Sequence, residues 1–390
     1  MRRSQLLGPA ALVAGLALLA SACSSDQPES APPTTAPTGT PSTSQSPAGP
    51  GSTPVSPSIP PTPAGPPSFT KILKQPVDGQ HVVTQQRKYL VTRGSDEAGT
   101  TTVTDRASKG VVVKHVPAAG FVAQSPVVID DHWALIEDIR DDGPSPQIRA
   151  FRYDLASGKA VELGTKLPRI SEPEIGASDG TFAYSSTDAK RRSCLVIAEL
   201  ATLKARTVSC VADPGYIADP VVSSDSVTFS EITAPQTTRR CKRLLTAPLA
   251  GGAASPVVAA KNCIQWSGAS LRGASVWSEV GASDPDQYQS TGYVREKPGA
   301  TVHSIGPIVT DTIVACGNWI HWEVRTMTEG VERFQLQRWQ PGLARPQRVY
   351  ATPPDTAITP ATCQDGTLIF EAAHLGAGAK YTEAMAVSTS

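Results

Sequence analysis

A large apolar residue recurs at nearly constant spacing through most of this sequence, each time near the end of a strand-like run. The positions are Leu90, Leu135, Tyr184, Phe229, Trp277, Trp322 and Phe370, with steps of 45, 49, 45, 48, 45 and 48 residues. A fixed period of this length indicates repeated supersecondary units, each of which buries its apolar surface against its neighbours. The repeat therefore restricts the fold to a stack or a ring of similar units.

Each unit contains three or four short strand-like runs, for example "SPVVID", "HWALIED", "QIRAFRYDL" and "KAVELG". Turn residues separate these runs, and helical periodicity is almost absent, which predicts an all-β fold. Units of four strands at this period are typical of propeller blades, because radial repetition buries both faces of each sheet. We predict a seven-bladed β-propeller with four-stranded blades over residues 69–390.

The last unit is one strand short, because the chain stops after "KYTEAMAVSTS". A strand-like run near the start of the domain, "FTKILK", belongs to no unit. An open sheet edge invites aggregation. We therefore predict that this N-terminal run supplies the outer strand of the last blade and closes the ring.

Two short motifs carry a family resemblance. "DGTFAYSS" (179–186) and "DGTLIFEA" (365–372) resemble the D-G-x-x-x-x-F-x-S signature of TolB-type propeller repeats. In that family the signature occupies the turn between the first two strands of a blade, and the resemblance implies the same placement here. The chain departs from TolB in its N-terminal region, where that protein has a separate domain.

The N-terminus has the features of an export signal. "MRRSQ" is a basic segment, and "LLGPAALVAGLALLASA" is an apolar run that is short for a membrane-spanning helix. The following "LLASACSSD" resembles the lipobox of bacterial lipoproteins, although Ala20 stands where the family usually has Leu. The resemblance implies that residues 1–22 are a lipoprotein signal peptide and that Cys23 carries a diacylglycerol thioether. Two acyl chains suffice for stable membrane anchoring.

Ordinary signal-peptidase cleavage after Ala22 is the alternative, and it would release a soluble protein that begins with a free Cys23. Of seven cysteines, removing Cys23 leaves 7 − 1 = 6, an even set suited to three disulfides. This parity favours lipidation, and with it a location on the outer face of the cell membrane.

Residues 24–68 have a different composition from the rest of the chain. Of these 45 residues 14 are Pro, and only Asp26 and Glu29 are charged. Such a segment cannot build a core. We interpret residues 23–68 as a lipidated Cys and a disordered tether, roughly 140 Å long when fully extended and roughly 35–40 Å as a flexible coil. Whether the tether is glycosylated cannot be decided from composition.

The run "SCLVIAELATLKARTVSC" has a cysteine near each end. Two strands joined by a turn near Thr202 pair residues whose numbers sum to 404, which places Cys194 opposite Cys210. Directly opposed side chains on neighbouring strands approach to about 4.5–5.5 Å, close enough for a disulfide. We predict that these two cysteines are bonded.

The remaining cysteines suggest two more disulfides. Cys241 and Cys263 sum to 504 and centre on Gly252 in a Gly-Gly turn, which predicts a second hairpin closed in the same way. Cys316 and Cys363 lie 47 residues apart, which is one blade. We predict a disulfide between neighbouring blades for this pair, with two buried free thiols as the alternative.

Catalytic and metal motifs give little support for an enzyme. "GASDG" matches the G-x-S-x-G pattern of serine hydrolases around Ser178, but a strand-like run follows it where that motif needs a helix. The acidic run "EDIRDD" (137–142) is interpreted as a solvated loop, with a calcium site as the alternative. The histidines show no pairing at metal-ligand spacing; they are His81, His115, His132, His303, His321 and His374. We predict no metal and no cofactor.

Four consecutive units carry an acid just after the repeated aromatic residue. The candidates for a ligand face at the channel mouth are Glu231, Glu279, Glu323 and Glu371. Paired carboxylates of this kind serve glycosidases, so the candidates also support the alternative of a hydrolase or lyase acting on a carbohydrate or lactone.

Charge excludes one class of partner. Without Arg2 and Arg3, Asp26 and Glu29, the domain has 33 bases and 33 acids, so nucleic acid is not expected to bind. We predict a monomeric, non-enzymatic module that binds an unknown protein or another cell-envelope component.

Overall fold

The computed structural model describes the residues of the repeat region, apart from short gaps. These are residues 69–75, 81–85, 88–129, 132–143, 146–233, 241–258, 264–280, 289–328, 330–354, 356–364, 366–374 and 382–388. The predicted signal peptide, Cys23 and the tether lie outside the described residues.

The described strands form seven antiparallel sheets, which confirms the predicted all-β, seven-bladed propeller. The first strand of the domain is β1 (Phe69–Gln75). Blade 1 contains β2 (His81–Gln85), β3 (Tyr89–Arg93), β4 (Thr101–Asp105) and β5 (Val111–His115). Blade 2 contains β6 (Val122–Ile129), β7 (Trp133–Arg140), β8 (Gln147–Asp154) and β9 (Ala160–Glu162). Blade 3 contains β10 (Ile170–Ser178), β11 (Thr181–Thr187), β12 (Ser193–Glu199) and β13 (Ala205–Val211).

The other blades repeat this order along the chain. Blade 4 contains β14 (Tyr216–Val222), β15 (Ser226–Thr233), β16 (Cys241–Pro248) and β17 (Ser255–Pro256). Blade 5 contains β18 (Gln265–Leu271), β19 (Ala274–Glu279), β20 (Gln289–Arg295) and β21 (His303–Val309). Blade 6 contains β22 (Val314–Cys316), β23 (Trp319–Thr328), β24 (Val331–Trp339) and β25 (Gln347–Ala351). Blade 7 contains β26 (Thr356–Ile358), β27 (Thr362–Gln364), β28 (Thr367–His374) and β29 (Thr382–Ser388).

Blade 7 is completed by the N-terminal strand, as the sequence predicts. β1 pairs antiparallel with β29, from Phe69 opposite Val387 to Gln75 opposite Thr382. The sheet order is β1, β29, β28, β26, and β27 also pairs with β28, so the inner strand of this blade is in two pieces. The two ends of the domain therefore close the ring together.

The first strand of each blade lies innermost. β14, for example, contacts the first strands of blades 3, 5 and 6. Side chains alternate between the two faces of a blade, so each blade packs one apolar row against the blade before it and another against the blade after it. Leu135 and Ile139 of β7 share a core cluster with Tyr184 of blade 3, whereas Ile136 packs with Val103 of blade 1.

This alternation corrects the repeat position assigned to blades 1 and 2. In blades 3 to 7 the fourth residue of the second strand faces the preceding blade. These residues are Tyr184, Phe229, Trp277, Trp322 and Phe370. In blade 2 that fourth residue is Ile136 rather than Leu135, and in blade 1 it is Thr92 rather than Leu90. The prediction chose the larger apolar residue, but side-chain direction depends on position in the strand.

Tight turns join the first and second strands. Asp179 and Gly180 connect β10 to β11 with φ angles of 48° and 72°, both in the left-handed region that a two-residue hairpin turn of type I′ requires. This is the placement that the D-G signature implies. It also shows that a strand, not a helix, follows Ser178.

Two of the predicted cysteine pairs are bonded. Cys194 lies directly opposite Cys210 and is joined to it, and Cys316 is joined to Cys363 with their Cα atoms 5.3 Å apart. Cys316 is the last residue of β22 and Cys363 lies in β27, so this bond links the inner strands of blades 6 and 7.

The third pair is only partly described. Cys241 is disulfide-bonded, and Cys263 lies outside the described residues. The predicted register of this hairpin is wrong, because Thr246 pairs with Ser255, a sum of 501 rather than 504. The pairing is also short, since β17 has only two residues and ends at Pro256, which has no backbone N–H for the ladder.

Within the described part of the chain, no helix is long and apolar enough to cross a membrane.

Candidate functional site

The inner strands leave their regular register at a similar height in several blades. β10 shifts between Ile170 and Ile175, and β14 shifts between Ala218 and Val221. β18 shifts between Gln265 and the glycine at position 268. Such bulges turn side chains away from the ladder and are common beside binding sites. They give the channel wall polar side chains that a regular strand would not present there.

The second strands of the seven blades carry a polar residue at an equivalent position. Their fifth residues form what we call the polar ring: Arg93, Glu137, Ser185, Ser230, Ser278, Glu323 and Glu371. Ser185 Oγ donates to the carbonyl of Ile217 at 2.5 Å, and Ser230 Oγ donates to the Asp219 carboxylate at 2.9 Å. Ile217 belongs to the inner strand of the next blade, whereas Asp219 belongs to the inner strand of the same blade as Ser230. Ring residues therefore hold inner strands both between and within blades where bulges interrupt the ladder.

Two ring carboxyl groups are fully enclosed. Glu137 is 0% exposed and neither of its carboxyl oxygens has a hydrogen-bond partner. Burial, with a smaller contribution from Asp138, raises the pKa of Glu137 to about 8. Glu323 is also buried, its Oε1 has no partner, and burial raises its pKa to about 8. Both groups are neutral acids near neutral pH.

The bulged strands assemble a group that we call the carboxylate–lysine cluster. It consists of Glu172, Asp219, Lys242 and Trp266 from blades 3 to 5, and of Asp311 from the connection between β21 and β22. Lys242 Nζ lies 2.7 Å from Asp219 Oδ2 and 4.4 Å from the centre of the Trp266 ring. Trp266 Nε1 donates to Asp311 Oδ2 at 2.9 Å. The ammonium group is thus held between a carboxylate and an indole face.

Negative charge exceeds positive charge in this cluster. Burial raises the pKa of Glu172, and the Asp219 carboxylate adds to that rise. Asp311 keeps an exposed surface, yet the protein around its carboxyl group displaces enough solvent to raise its pKa; Lys242 opposes that rise and Asp219 adds to it. The Lys242 ammonium acts on Asp219 and Asp311, and Glu172 adds a third carboxyl group that interacts with Asp219. The cluster therefore attracts cationic and hydrogen-bond-donating groups.

The backbone of the cluster is held in an uncommon conformation. Asp219 and Asp311 have φ angles of 52° and 61°, in the left-handed region that non-glycine residues rarely adopt. Residues in such conformations persist where the surrounding structure fixes them, and they concentrate at binding sites. Here the conformations direct two acids towards one Lys and one Trp.

A separate cavity of about 230 Å³ lies where first strands turn into second strands. Its lining includes Ser178 and Asp179 of blade 3, Ser223 of blade 4 and Cys316 of blade 6. Ser178 therefore lines this cavity at the end of a strand, in a hairpin rather than in a nucleophile elbow.

The four predicted ligand-face acids do not act as one group. Glu231 pairs with Arg243 at 2.6 Å, and Glu279 Oε1 accepts the indole N–H of Trp277 at 3.0 Å. Glu323 is enclosed between blades, and the backbone N–H of Glu371 donates to Thr359 Oγ1 at 3.0 Å. Glu231 and Glu279 are the sixth residues of their strands, and the other two are the fifth, so the two sets point to opposite faces.

The acidic run 137–142 is a solvated loop only at Asp141 and Asp142, which are exposed after the end of β7, and the calcium alternative fails for its first two residues. Glu137 and Asp138 are buried within β7 and point to opposite faces of the blade, so they cannot share an ion. Asp138 Oδ1 lies 2.6 Å from His115 Nε2, and His115 Nδ1 lies 2.6 Å from the hydroxyl of Tyr153. This buried chain of contacts joins blades 1 and 2.

The histidines occupy unrelated positions. His321 is fully buried in β23, both of its ring nitrogens lack partners, and burial, helped by Arg338, lowers its pKa to about 3. His132 and His303 are exposed, and the side chains of His81 and His374 lie outside the described residues. Among the described side chains, the single group of three possible metal ligands is Asp188 with Cys194 and Cys210.

The carboxylate–lysine cluster was missed from sequence, although the sequence contains a signal for it. Pro126, Pro173 and Pro220 are spaced 47 and 47 residues apart, and Glu172 and Asp219 each precede one of these prolines. A proline within a predicted strand marks an edge or a bulge. A periodic proline in the inner strands therefore locates the bulges, and the acids beside them.

Neither a protein-family model nor a curated protein sequence matches the chain. Solved structures do match in fold. The β-propeller domain of the Trilobed protease from Pyrococcus furiosus, which is described as having an open velcro topology, matches with a TM-score of 0.52 at 8% identity, over 80% of this chain and 96% of that one. Here, in contrast, β1 fastens the ring.

Two further matches have lower TM-scores. The polysaccharide lyase Uly1 matches with a TM-score of 0.49 at 9% identity, over 80% of this chain and 90% of that one. TolB from Acinetobacter baumannii matches with a TM-score of 0.38 at 9% identity, over 78% of each chain. These similarities concern the propeller fold.

Proposed function

We propose that this protein is a cell-envelope lipoprotein whose propeller binds a protein or another envelope component through the carboxylate–lysine cluster. In this proposal Cys23 holds the protein on the outer face of the membrane, and residues 24–68 give the propeller its reach. The observation that carries the proposal is that Asp219 and Asp311 lie against Lys242 and Trp266, with the carboxyl group of Glu172 interacting with Asp219.

The charge balance of the cluster indicates which ligand groups it accepts. Lys242 already neutralises one carboxylate, and its ammonium lies against Asp219 and Trp266 as a ligand cation would. The remaining acids favour a ligand that presents an amine, a guanidinium or several hydroxyl groups. A protein partner would supply such a group from a Lys or Arg side chain.

A hydrolase or lyase acting on a carbohydrate or lactone is the second candidate. It is favoured by one observation, that the pKa of Glu172 is raised beside Asp219, whose carboxylate is paired with Lys242. A carboxyl group with a raised pKa beside a second carboxyl group is an arrangement that acid–base catalysis can use.

Proximity cross-linking on intact cells separates these possibilities. The parent should capture partners that a Glu172→Gln/Asp311→Asn double variant loses, because the variant removes two of the three acids. Glu162→Gln is the matched control, since Glu162 pairs with Arg149 on blade 2, away from the cluster. Capture that is the same in parent and double variant would contradict the proposed site.

Turnover assays with the same proteins test the second candidate. Purified parent should bind envelope extracts without consuming polysaccharide or lactone substrates. Product formation by the parent that Glu172→Gln abolishes would replace the binding proposal with the enzymatic one.

A further inference from the structure

The loop between the second and third strands of blade 3 folds around Asp188. This loop, residues 188–192, joins β11 to β12. Asp188 Oδ1 accepts the backbone N–H groups of Lys190 and Arg192, both at 2.9 Å. Asp188 Oδ2 accepts Arg192 Nε at 2.8 Å. These bonds fix the direction of the carboxylate.

That carboxylate lies beside the disulfide of the same blade. Cys194 of β12 and Cys210 of β13 are directly opposed, with Cα atoms 4.0 Å apart. One carboxylate oxygen of Asp188 and the two sulfur atoms all lie within 4.8 Å of one another. The group lies at the edge of the solvent, because the Asp188 side chain is 27% exposed and Cys210 is half-buried, while Cys194 is buried.

We propose that reduction of the Cys194–Cys210 disulfide opens a binding site for a soft divalent cation such as Zn²⁺, with two thiolates and the Asp188 carboxylate as ligands. Thiolate and carboxylate donors are both used by Zn²⁺, and a water molecule completes the tetrahedral set. While the disulfide is intact its sulfurs are not thiolate ligands, so the site is closed. The inference is independent of the carboxylate–lysine cluster.

The redox step requires a dithiol reductant, such as a thiol–disulfide oxidoreductase of the envelope. The reductant gives two electrons and two protons to the S–S bond, which breaks to leave two thiols, and is itself oxidised to a disulfide. Binding of the cation then displaces one proton from each thiol, and the S–M²⁺ bonds form to the resulting thiolates.

The surroundings suit such a site. Two thiolates and one carboxylate around a divalent cation carry a net charge of −1, and the guanidinium of Arg192 beside Asp188 offsets it. The hydrogen bonds to Asp188 play the orienting role that outer partners play for metal-bound carboxylates. Among the described side chains, the Cys316–Cys363 disulfide has no comparable carboxylate group.

The test uses the full-length chain, a phosphine reductant and Co²⁺ as a spectroscopic probe for the Zn²⁺ site. The reduced parent should show a thiolate-to-cobalt charge-transfer band. It should also bind one more equivalent of Co²⁺ than a Cys194→Ser/Cys210→Ser double variant binds. That variant corrects for thiols released elsewhere. Circular dichroism follows the strands, because loss of strand structure on reduction would overturn a site that needs β12 paired with β13.

Zn²⁺ affinity, measured by competition with a chromophoric chelator, tests the third ligand. Asp188→Asn should weaken binding by at least about tenfold, since losing an outer partner alone costs about that much. Asp154→Asn is the matched control and should change nothing, because Asp154 accepts the N–H groups of Ala156 and Ser157 in a turn of blade 2. Equal binding by the parent and the cysteine double variant, or by the oxidised and reduced parent, would overturn the proposal, as would an unchanged affinity in Asp188→Asn.

Discussion

Buried carboxyl groups without partners are costly, and this propeller encloses two of them at equivalent positions of different blades. At the same position in other blades, Ser185 donates to the carbonyl of Ile217 on the next inner strand, and Ser230 donates to Asp219 on the inner strand of its own blade. Glu137 and Glu323 instead remain neutral acids, because ionising an enclosed carboxyl group costs more than holding its proton. Through these two residues of the polar ring, the free energy of unfolding depends on pH.

Glu137→Gln should stabilise the protein at pH 7.5 and leave it unchanged near pH 4. The folded-state pKa, about 8, is raised above the ordinary value of 4.5. Below pH 4.5 Glu137 is protonated in both the folded and the unfolded state, and its contribution to the free energy of unfolding is at its maximum. Between the ordinary pKa and the folded-state pKa this contribution falls by about 1.4 kcal/mol per pH unit, because only the unfolded state ionises. Gln cannot ionise, so the variant avoids this loss. Denaturant unfolding at both pH values measures the effect.

Glu162→Gln is the control for that experiment. The hydrogen bond and charge of Arg149 lower the pKa of Glu162, so its removal should give no gain at pH 7.5. A Glu137→Gln protein that is no more stable than the parent at pH 7.5 would show that the carboxyl group finds a partner or solvent in solution.

At the scale of the element, inner strands are the irregular parts of this fold and second strands are the regular ones. The sequence predicts the second strands well, because their apolar residues lie at fixed positions between blades. It predicts the inner strands poorly, since bulges break the alternation on which pattern recognition depends. Glu172 and Asp219 were missed for this reason, and their signal is the periodic proline that follows them.

The closing strand and the Cys194–Cys210 bond were predictable for a different reason. The last unit lacks one strand and the first strand-like run belongs to no unit, so the sequence predicts that the two pair. The register of the hairpin alone places Cys194 opposite Cys210. The hairpin at Cys241 was not predictable to the residue, because its pairing shortens at Pro256. Glu137 was predicted to lie in a loop, although it is buried in β7. The repeat position in this blade had been assigned to Leu135 for its apolar side chain, without regard to the face of the strand on which that side chain lies.

Deleting residues 69–75 should destabilise the ring and promote association. β1 and β29 form six cross-strand pairs. At about 0.5 kcal/mol each, their loss costs about 3 kcal/mol, which lowers Tm by about 4–5 °C for a domain of this length. Calorimetry measures the loss, and light scattering measures association at the exposed edge of β29. Deleting residues 50–56 of the predicted tether should change neither. A monomeric deletion protein with the parent Tm would contradict closure by β1.

Removing the disulfide between blades 6 and 7 should cost more than removing the hairpin disulfide. Cys316 and Cys363 are 47 residues apart and Cys194 and Cys210 are 16 apart. The entropic model gives about 4 and about 3 kcal/mol for loops of these lengths. Paired Ser variants compared by denaturant unfolding test the order. Hydrogen exchange in the Cys316→Ser/Cys363→Ser variant should increase mainly in β22 and β27, and an increase confined to blade 3 would contradict the assignment.

For the whole molecule, the proposal separates attachment from binding along the chain. The proposed lipid anchor at Cys23 precedes the propeller by the 45 residues 24–68. A coil of that length spans roughly 35–40 Å. The propeller would therefore sample a volume above the membrane and would not be held at one height.

Cys23→Ala should move the protein from the membrane fraction to the soluble fraction. The reason is the loss of the two acyl chains that the lipobox resemblance implies, since a polypeptide without them has no stable hold on the bilayer. Fractionation of cells that express parent and variant measures the shift. A Ser24→Ala variant should stay with the membrane. Equal partitioning of parent and Cys23→Ala would refute lipidation at this residue.

The position of β1 gives the molecule a mechanical property. The segment predicted to be a tether ends at residue 68, next to Phe69, the first residue of the strand that completes blade 7. Any tension between the membrane and a bound partner would enter the propeller at that strand. The six β1–β29 pairs would carry the load before any other blade contact does. The strand that closes the ring is thus also its release point, and pulling on the N-terminus should open blade 7 while blades 1 to 6 remain folded.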